Sequence, residues 1–205
     1  MKRFLLLLVL LSQSVFADDE SYLIDDSLAM ARQGEFVRAS NLIVDLANNG
    51  DSTAQYVLSM YFRDPNALNI PELGEMWLLR AAENNNAKAQ YDLGWRLAAG
   101  WKNDTVEDIV EMIYWFERAT FNGSDDAYAN LAKLYENEFR DVLVEMEVAA
   151  NDGNAMAQFN LGWINARGLV NSEGLMQDMD IAKAWFEKSA KLGFKDAIEV
   201  LEKNF

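Results

Sequence analysis

The chain has no cysteine and no histidine among its 205 residues. Without cysteine there are no disulfides and no thiol nucleophile, so stability has to come from burial alone. Without histidine the commonest general base is gone, and with both absent so are nearly all soft metal sites. A serine hydrolase would then depend on a lysine or carboxylate base, and no serine stands in a G-x-S-x-G elbow. Proline is almost missing too: Pro65 and Pro71 both fall in the stretch 64–71, where a loop is expected, so nothing elsewhere interrupts a helix. Basic residues are outnumbered, 18 against 33 acidic, for a net charge of −15. So acidic a surface repels phosphate backbones and anionic lipid heads, which argues against nucleic acid and membrane surfaces as partners. It favours a basic protein or cationic ligand, or it serves solubility alone.

Long apolar runs are absent except at the start. Lys2-Arg3 precede the run Phe4 to Leu11, then Val15-Phe16-Ala17 precede the acidic Asp18-Asp19-Glu20. This order reads as a signal peptide over residues 1–17. A retained anchor helix is the alternative, but the run falls short of the roughly 20 residues that span a bilayer. No cysteine follows to carry a lipid. The expectation is a periplasmic or secreted protein starting near Asp18, with no membrane insertion after cleavage.

What is present is a recurring frame. Ala54-Gln55-Tyr56-Val57-Leu58, Ala89-Gln90-Tyr91-Asp92-Leu93 and Ala157-Gln158-Phe159-Asn160-Leu161 repeat one pattern, with weaker echoes at Ala127 to Leu131 and Ala197 to Leu201. The frame alanines are 35, 38, 30 and 40 residues apart. Such a period marks stacked helical pairs, because one pair cannot bury its apolar face until a neighbour covers it. Apolar spacings of three and four, as in Leu42, Leu46 and Ala47 or Ile109, Ile113 and Phe116, make the chain all-α.

Each unit reads as two antiparallel helices. The first carries the frame and, after its leucine, a small residue: Ser59, Gly94, Ala132 or Gly162. The second carries Trp77, Trp115 or Trp185, 12 residues before the next frame alanine, expected to fill the space beside the small residue. Gly50, Gly123, Gly153 and Gly193 stand four residues before a frame alanine, with Asn85 in the remaining unit, where a helix C-terminus needs a positive φ.

These motifs resemble the Sel-1-like repeat family, relatives of the tetratricopeptide repeats. Ala87 to Gly94 and Ala155 to Gly162 match its A-x-A-Q-x-x-L-G opening, and Trp185 to Gly193 the W-x-x-x-A-A-x-x-G of its close, with Ser189 at the first of the paired alanines. The resemblance covers about Gly34 to the C-terminus. It implies a right-handed α-α superhelical solenoid of four to five helical pairs with a concave, protein-binding face, often in an exported bacterial adaptor. On this reading residues 18–50 form an N-terminal helical pair that caps the array, 51–193 the repeats and 194–205 a C-terminal capping helix.

The third unit departs from the pattern. Glu145 replaces the tryptophan, and only 14 residues separate Leu131 from it, so the loop near Asn137-Glu138 is nearly absent. A local bend, a partner surface and simple drift all fit.

Chemistry is thinly represented. Asp104, Glu107, Asp108 and Glu111 cluster near one helix start, as do Asp125 and Asp126; helix capping explains them more simply than carboxylate catalysis. The loop at Asn103-Asp104 lacks calcium-binding spacing, and the glycosylation sequons at Asn103 and Asn122 read as coincidences. No catalytic residue, cofactor or metal is expected. If the first helices line the concave face, Tyr56, Met60, Tyr91, Trp95, Phe159 and Trp163 point into it, an aromatic, acid-rimmed groove for a basic or amphipathic segment of another protein. Core packing is an equal reading for Tyr91 and Phe159; Trp95 and Trp163 occupy a position that the family leaves free and are expected to be exposed. The leading function is an exported, non-enzymatic protein-interaction module, in its sharpest form an immunity protein neutralising an exported toxin, in another an adaptor for envelope assembly or signalling. The rival is a cell-wall or β-lactam hydrolase.

Overall fold

A computed structural model describes residues 21–99, 105–137, 139–168 and 177–205. The expected signal peptide, residues 1–17, and the loop holding Asn103 and Asp104 lie outside them. The described residues are helical, as the periodicity requires: α1 (21–32), α2 (Phe36–Asn48), α3 (Ser52–Arg63), α4 (Pro71–Glu83), α5 (Ala87–Ala98), α6 (Val106–Phe121), α7 (Asp125–Asn137), α8 (Phe139–Asn151), α9 (Ala155–Arg167), α10 (Met179–Lys191) and α11 (Lys195–Asn204). Two compact units divide between Asn86 and Ala87.

One local device recurs at the junctions. Gly50, Gly123, Gly153 and Gly193 have φ of 97°, 91°, 92° and 86°, and Asn85 has φ 65°. In each case the next residue donates its N–H to the carbonyl five residues back, as Asp51 does to Leu46 and Asn86 to Ala81, closing the helix end. At three of these five junctions the following helix starts on a side-chain cap aimed at the frame alanine. Asp51, Ser124 and Asn154 accept from the N–H of Ala54, Ala127 and Ala157. All five frame alanines are fully buried. The frame is therefore the point where capping and packing coincide.

In the first unit, α3 packs on α4 and on α2. Ser27 of α1 donates to Ala39 O (2.9 Å) and, its one proton used, accepts from Tyr61 Oη (3.0 Å), tying three helices together. Pro71 is the first residue of α4, where its missing N–H costs nothing.

In the second unit, α5 packs on α6 and α9 on α10. The glycines of α5 and α9 permit that approach, but the ring over each is not the tryptophan. A Cβ on Gly94 would lie 2.7 Å from Phe116, and one on Gly162 would lie 2.5 Å from Phe186. Each phenylalanine directly follows the expected tryptophan, one step round the helix.

The third pair is not a pair. One position separates α7 from α8, too few residues to fold two helices back on each other, and the two barely touch. α7 packs on α6, while α8 packs on α9 and α6; α6 also meets α9. α5, α7, α8 and α9 thus all pack on α6, and its buried residues, including Ile109, Met112, Ile113, Tyr114, Trp115 and Phe116, face every direction.

Candidate functional site

The six side chains expected to reach a partner occupy different environments. Tyr56 and Met60, on α3 in the first unit, are half-buried, Met60 against that unit's apolar core. On α5, Tyr91 is half-buried against Phe116 (ring centroids 5.9 Å apart), and its hydroxyl accepts from Asn130 Nδ2 at 3.4 Å. Trp95, one turn on, stacks on Tyr91 at 6.5 Å and 17° and is 52% exposed. Tyr91 therefore backs one face of the indole, and about half of the residue meets solvent.

The equivalent pair on α9 is placed otherwise. Phe159 is 2% exposed, enclosed by Tyr114, Phe186 and Phe194 at 6.0, 5.6 and 5.3 Å. So enclosed a ring offers a partner almost no surface. Trp163 is half-buried among Phe121, Phe159 and Phe186, and the Arg167 guanidinium lies 5.0 Å from its ring centre. Of its ring neighbours only Phe121, at the end of α6, is itself well exposed. The same frame position thus gives a solvent-facing tryptophan on α5 and a packed one on α9.

The carboxylates near the start of α6 do structural work. Asp108 accepts from the N–H and hydroxyl of Thr105, both at 2.9 Å, and its own N–H is capped by the Thr105 hydroxyl. Those bonds hold the Asp108 carboxyl below its usual range. Glu111 accepts from Trp115 Nε1 at 3.1 Å. Asp125 and Asp126 lie in the first turn of α7, where the helix dipole favours them. Asn122, in one of the two sequons, gives its amide to Gln90 Oε1 at 2.9 Å. Among the described residues no cluster of three acidic, histidine or cysteine side chains is placed to hold a metal, and no helix is long and apolar enough to cross a membrane.

Two polar networks were not legible in sequence. Glu117 is fully buried in α6, ion-paired with Arg167 of α9 and 3.5 Å from the Tyr135 hydroxyl of α7. Burial drives the Glu117 carboxyl up to about 7, against the opposing pull of Arg167 and the Tyr135 hydrogen bond. The other network joins α6 to α11: Tyr114 Oη donates to Asp196 (2.8 Å), and Arg118 donates to both. Both depend on helices far apart in sequence, and no local spacing announces them.

The Sel1 repeat model matches residues 52–86, 87–120 and 155–194, more than half of the chain. The chain belongs to the Sel1 repeat family. Helical repeats of this family typically serve as protein-interaction scaffolds, and they are usually non-catalytic. The unmatched stretch between the second and third Sel1 repeats contains α7 and α8, the helices that do not pair. Among solved structures the chain is similar to a Sel1 repeat protein from Oxalobacter formigenes, at 24% identity over 87% of this chain and 75% of that one, TM-score 0.48. It is also similar to a protective antigen present in uropathogenic Escherichia coli strains and displaying an SLR fold, at 23% identity over 84% of this chain and 37% of that one, TM-score 0.41. No curated protein matches the chain.

Proposed function

We propose that this Sel1 repeat protein is an exported, non-enzymatic interaction module, and that Trp95, backed by Tyr91, anchors a basic or amphipathic segment of a partner protein. The exposed stacked indole carries this reading. Tryptophan is the side chain most enriched among residues that dominate binding energy, and a rigid backing lowers the entropy lost when a partner covers it. The partner's charge follows from the excess of 33 acidic over 18 basic residues, which attracts cationic segments and slows the approach of anionic ones. Capping and packing account for the described carboxylates of α6 and α7, which leaves the interaction surface as the working part of the molecule.

The test compares the chain without residues 1–17 with its Trp95→Ala variant, against a partner recovered from the native cell envelope. Affinity should fall by about 2 kcal/mol, roughly thirtyfold, with the melting temperature nearly unchanged because the indole is more than half exposed. Equal affinity in the two proteins would refute the assignment of Trp95, and a large fall in melting temperature would place the ring in the core.

A further inference from the structure

The second helices of the regular repeats share a feature beyond their tryptophan. Three residues after Trp77, Trp115 and Trp185 stand Arg80, Arg118 and Lys188. The Arg80 guanidinium lies 4.9 Å from the Trp77 ring centre and Lys188 Nζ 3.7 Å from that of Trp185, while Arg118 lies 5.7 Å from the Tyr114 ring and pairs with Asp196. Arg80 and Lys188 are exposed and cover the tryptophan of their own helix, whereas Arg118 is drawn into the contact of α6 with α11. In α8 the two corresponding positions are Glu145 and Val148. Ring and cation are lost together, and the cation's position has become apolar.

The exchange leaves an unusual surface. Val142, Met146 and Ala150 point inward and are buried, so the core contact of α8 is complete without its outer side. There Val144 and Val148, one turn apart, are 55% and 57% exposed. Asp141 and Glu147 are exposed beside them, and Glu145 is half-exposed. On the helical wheel Asp141 and Glu145 fall to one side of the valines and Glu147 to the other. Valine is a poorer helix former than lysine or arginine, so neither local propensity nor core packing accounts for two valines on this face.

We propose that the outer face of α8, an apolar ridge of Val144 and Val148 flanked by Asp141, Glu145 and Glu147, docks a basic amphipathic helix of another protein. The spacing of the ridge suits a partner helix with apolar residues at i, i+3 and i+4, and the carboxylates of Asp141 and Glu145 along one side of it suit lysines or arginines there. A second copy of this chain is disfavoured as the occupant, because two such faces would oppose carboxylate to carboxylate. The proposal stands on α8 alone and does not depend on Trp95.

The probe is a fluorescent synthetic helix with leucines at those spacings and lysines elsewhere, set against a scrambled peptide of the same composition. It is titrated into the chain lacking residues 1–17, with sedimentation run in parallel. Val148→Lys, which restores the cation of the other repeats, should weaken binding at least about tenfold, and Val144→Ser with Val148→Ser should weaken it by removing the ridge without changing charge. Both are surface changes expected to leave the melting temperature nearly unchanged, and Trp95→Ala should bind the probe as the parent does. Equal binding of the scrambled peptide, unchanged binding by Val148→Lys, or loss of binding in Trp95→Ala would overturn the proposal. So would a dimer that Val148→Lys dissociates.

Discussion

Gln55, Gln90 and Gln158 occupy the same place in three repeats, and only the last is incompletely satisfied. Gln55 Nε2 donates to Ala47 O and Gln158 Nε2 to Ala150 O, both at 2.8 Å, so each amide grips the preceding helix end. The amide oxygens of Gln55 and Gln90 accept from Asn84 and Asn122, both at 2.9 Å, which stand at the C-caps of α4 and α6. At the C-cap of α10 the corresponding residue is Leu192, and Gln158 Oε1 is buried without a partner among the described residues. The backbone there (φ −84°, ψ 2°) is close to that of Asn122 (φ −88°, ψ 14°), so an asparagine would aim its amide the same way. Leu192 is 55% exposed, so little apolar burial is lost by replacing it. A net hydrogen bond contributes about 0.5–1.5 kcal/mol, and satisfying a buried orphan lies toward the upper end. Leu192→Asn should therefore stabilise the chain by about 1 kcal/mol, roughly 2–4 °C in melting temperature. The assay is urea and thermal unfolding of the parent, Leu192→Asn, Gln158→Met and the double variant. A coupling near the full gain is expected. No gain, or the same gain in the Gln158→Met background, would show that the asparagine acts through the helix end and refute the clamp. The converse change, Asn84→Leu, should cost about 1–3 kcal/mol by orphaning Gln55 Oε1.

Gly162→Ala improves helix propensity by about 1 kcal/mol, yet its Cβ would meet Phe186 ring carbons at 2.5, 2.6 and 2.8 Å. With overpacking at about 1–3 kcal/mol, a net loss of stability in urea is expected, and a gain would contradict the close approach of α9 and α10. For Glu117, a folded-state value of about 7 lies above the ordinary carboxylate value of 4.5. The native state therefore binds this proton more tightly than the unfolded chain does. Its contribution to stability is fully present below about 4.5 and is lost as pH rises through about 7. Across pH 5–8 the parent should lose stability relative to Glu117→Gln as pH rises, and parallel melting curves would refute the buried ionisation.

Trp95 and Trp163 show where sequence reading stops. They share a frame position, so periodicity assigns them one environment, but Phe121 and Phe186 close around Trp163 from α6 and α10 while Trp95 has Tyr91 as its one stacking partner among the described residues. The third unit is similar. Its short link was countable in advance, but not that α7 and α8 would fail to pair, nor that α6 would meet α9 and enclose Glu117.

By itself the sequence determined what is local: helices from apolar spacing, their ends from glycine or asparagine at positive φ, and the fold family from the alanine frame. Each is settled within a few residues, where backbone geometry and short-range hydrogen bonds dominate. Only the tertiary structure decided what surrounds each helix, and hence which tryptophan meets solvent, which carboxylate is buried and which glutamine lacks a donor. Those outcomes depend on contacts between helices that no period along the chain encodes.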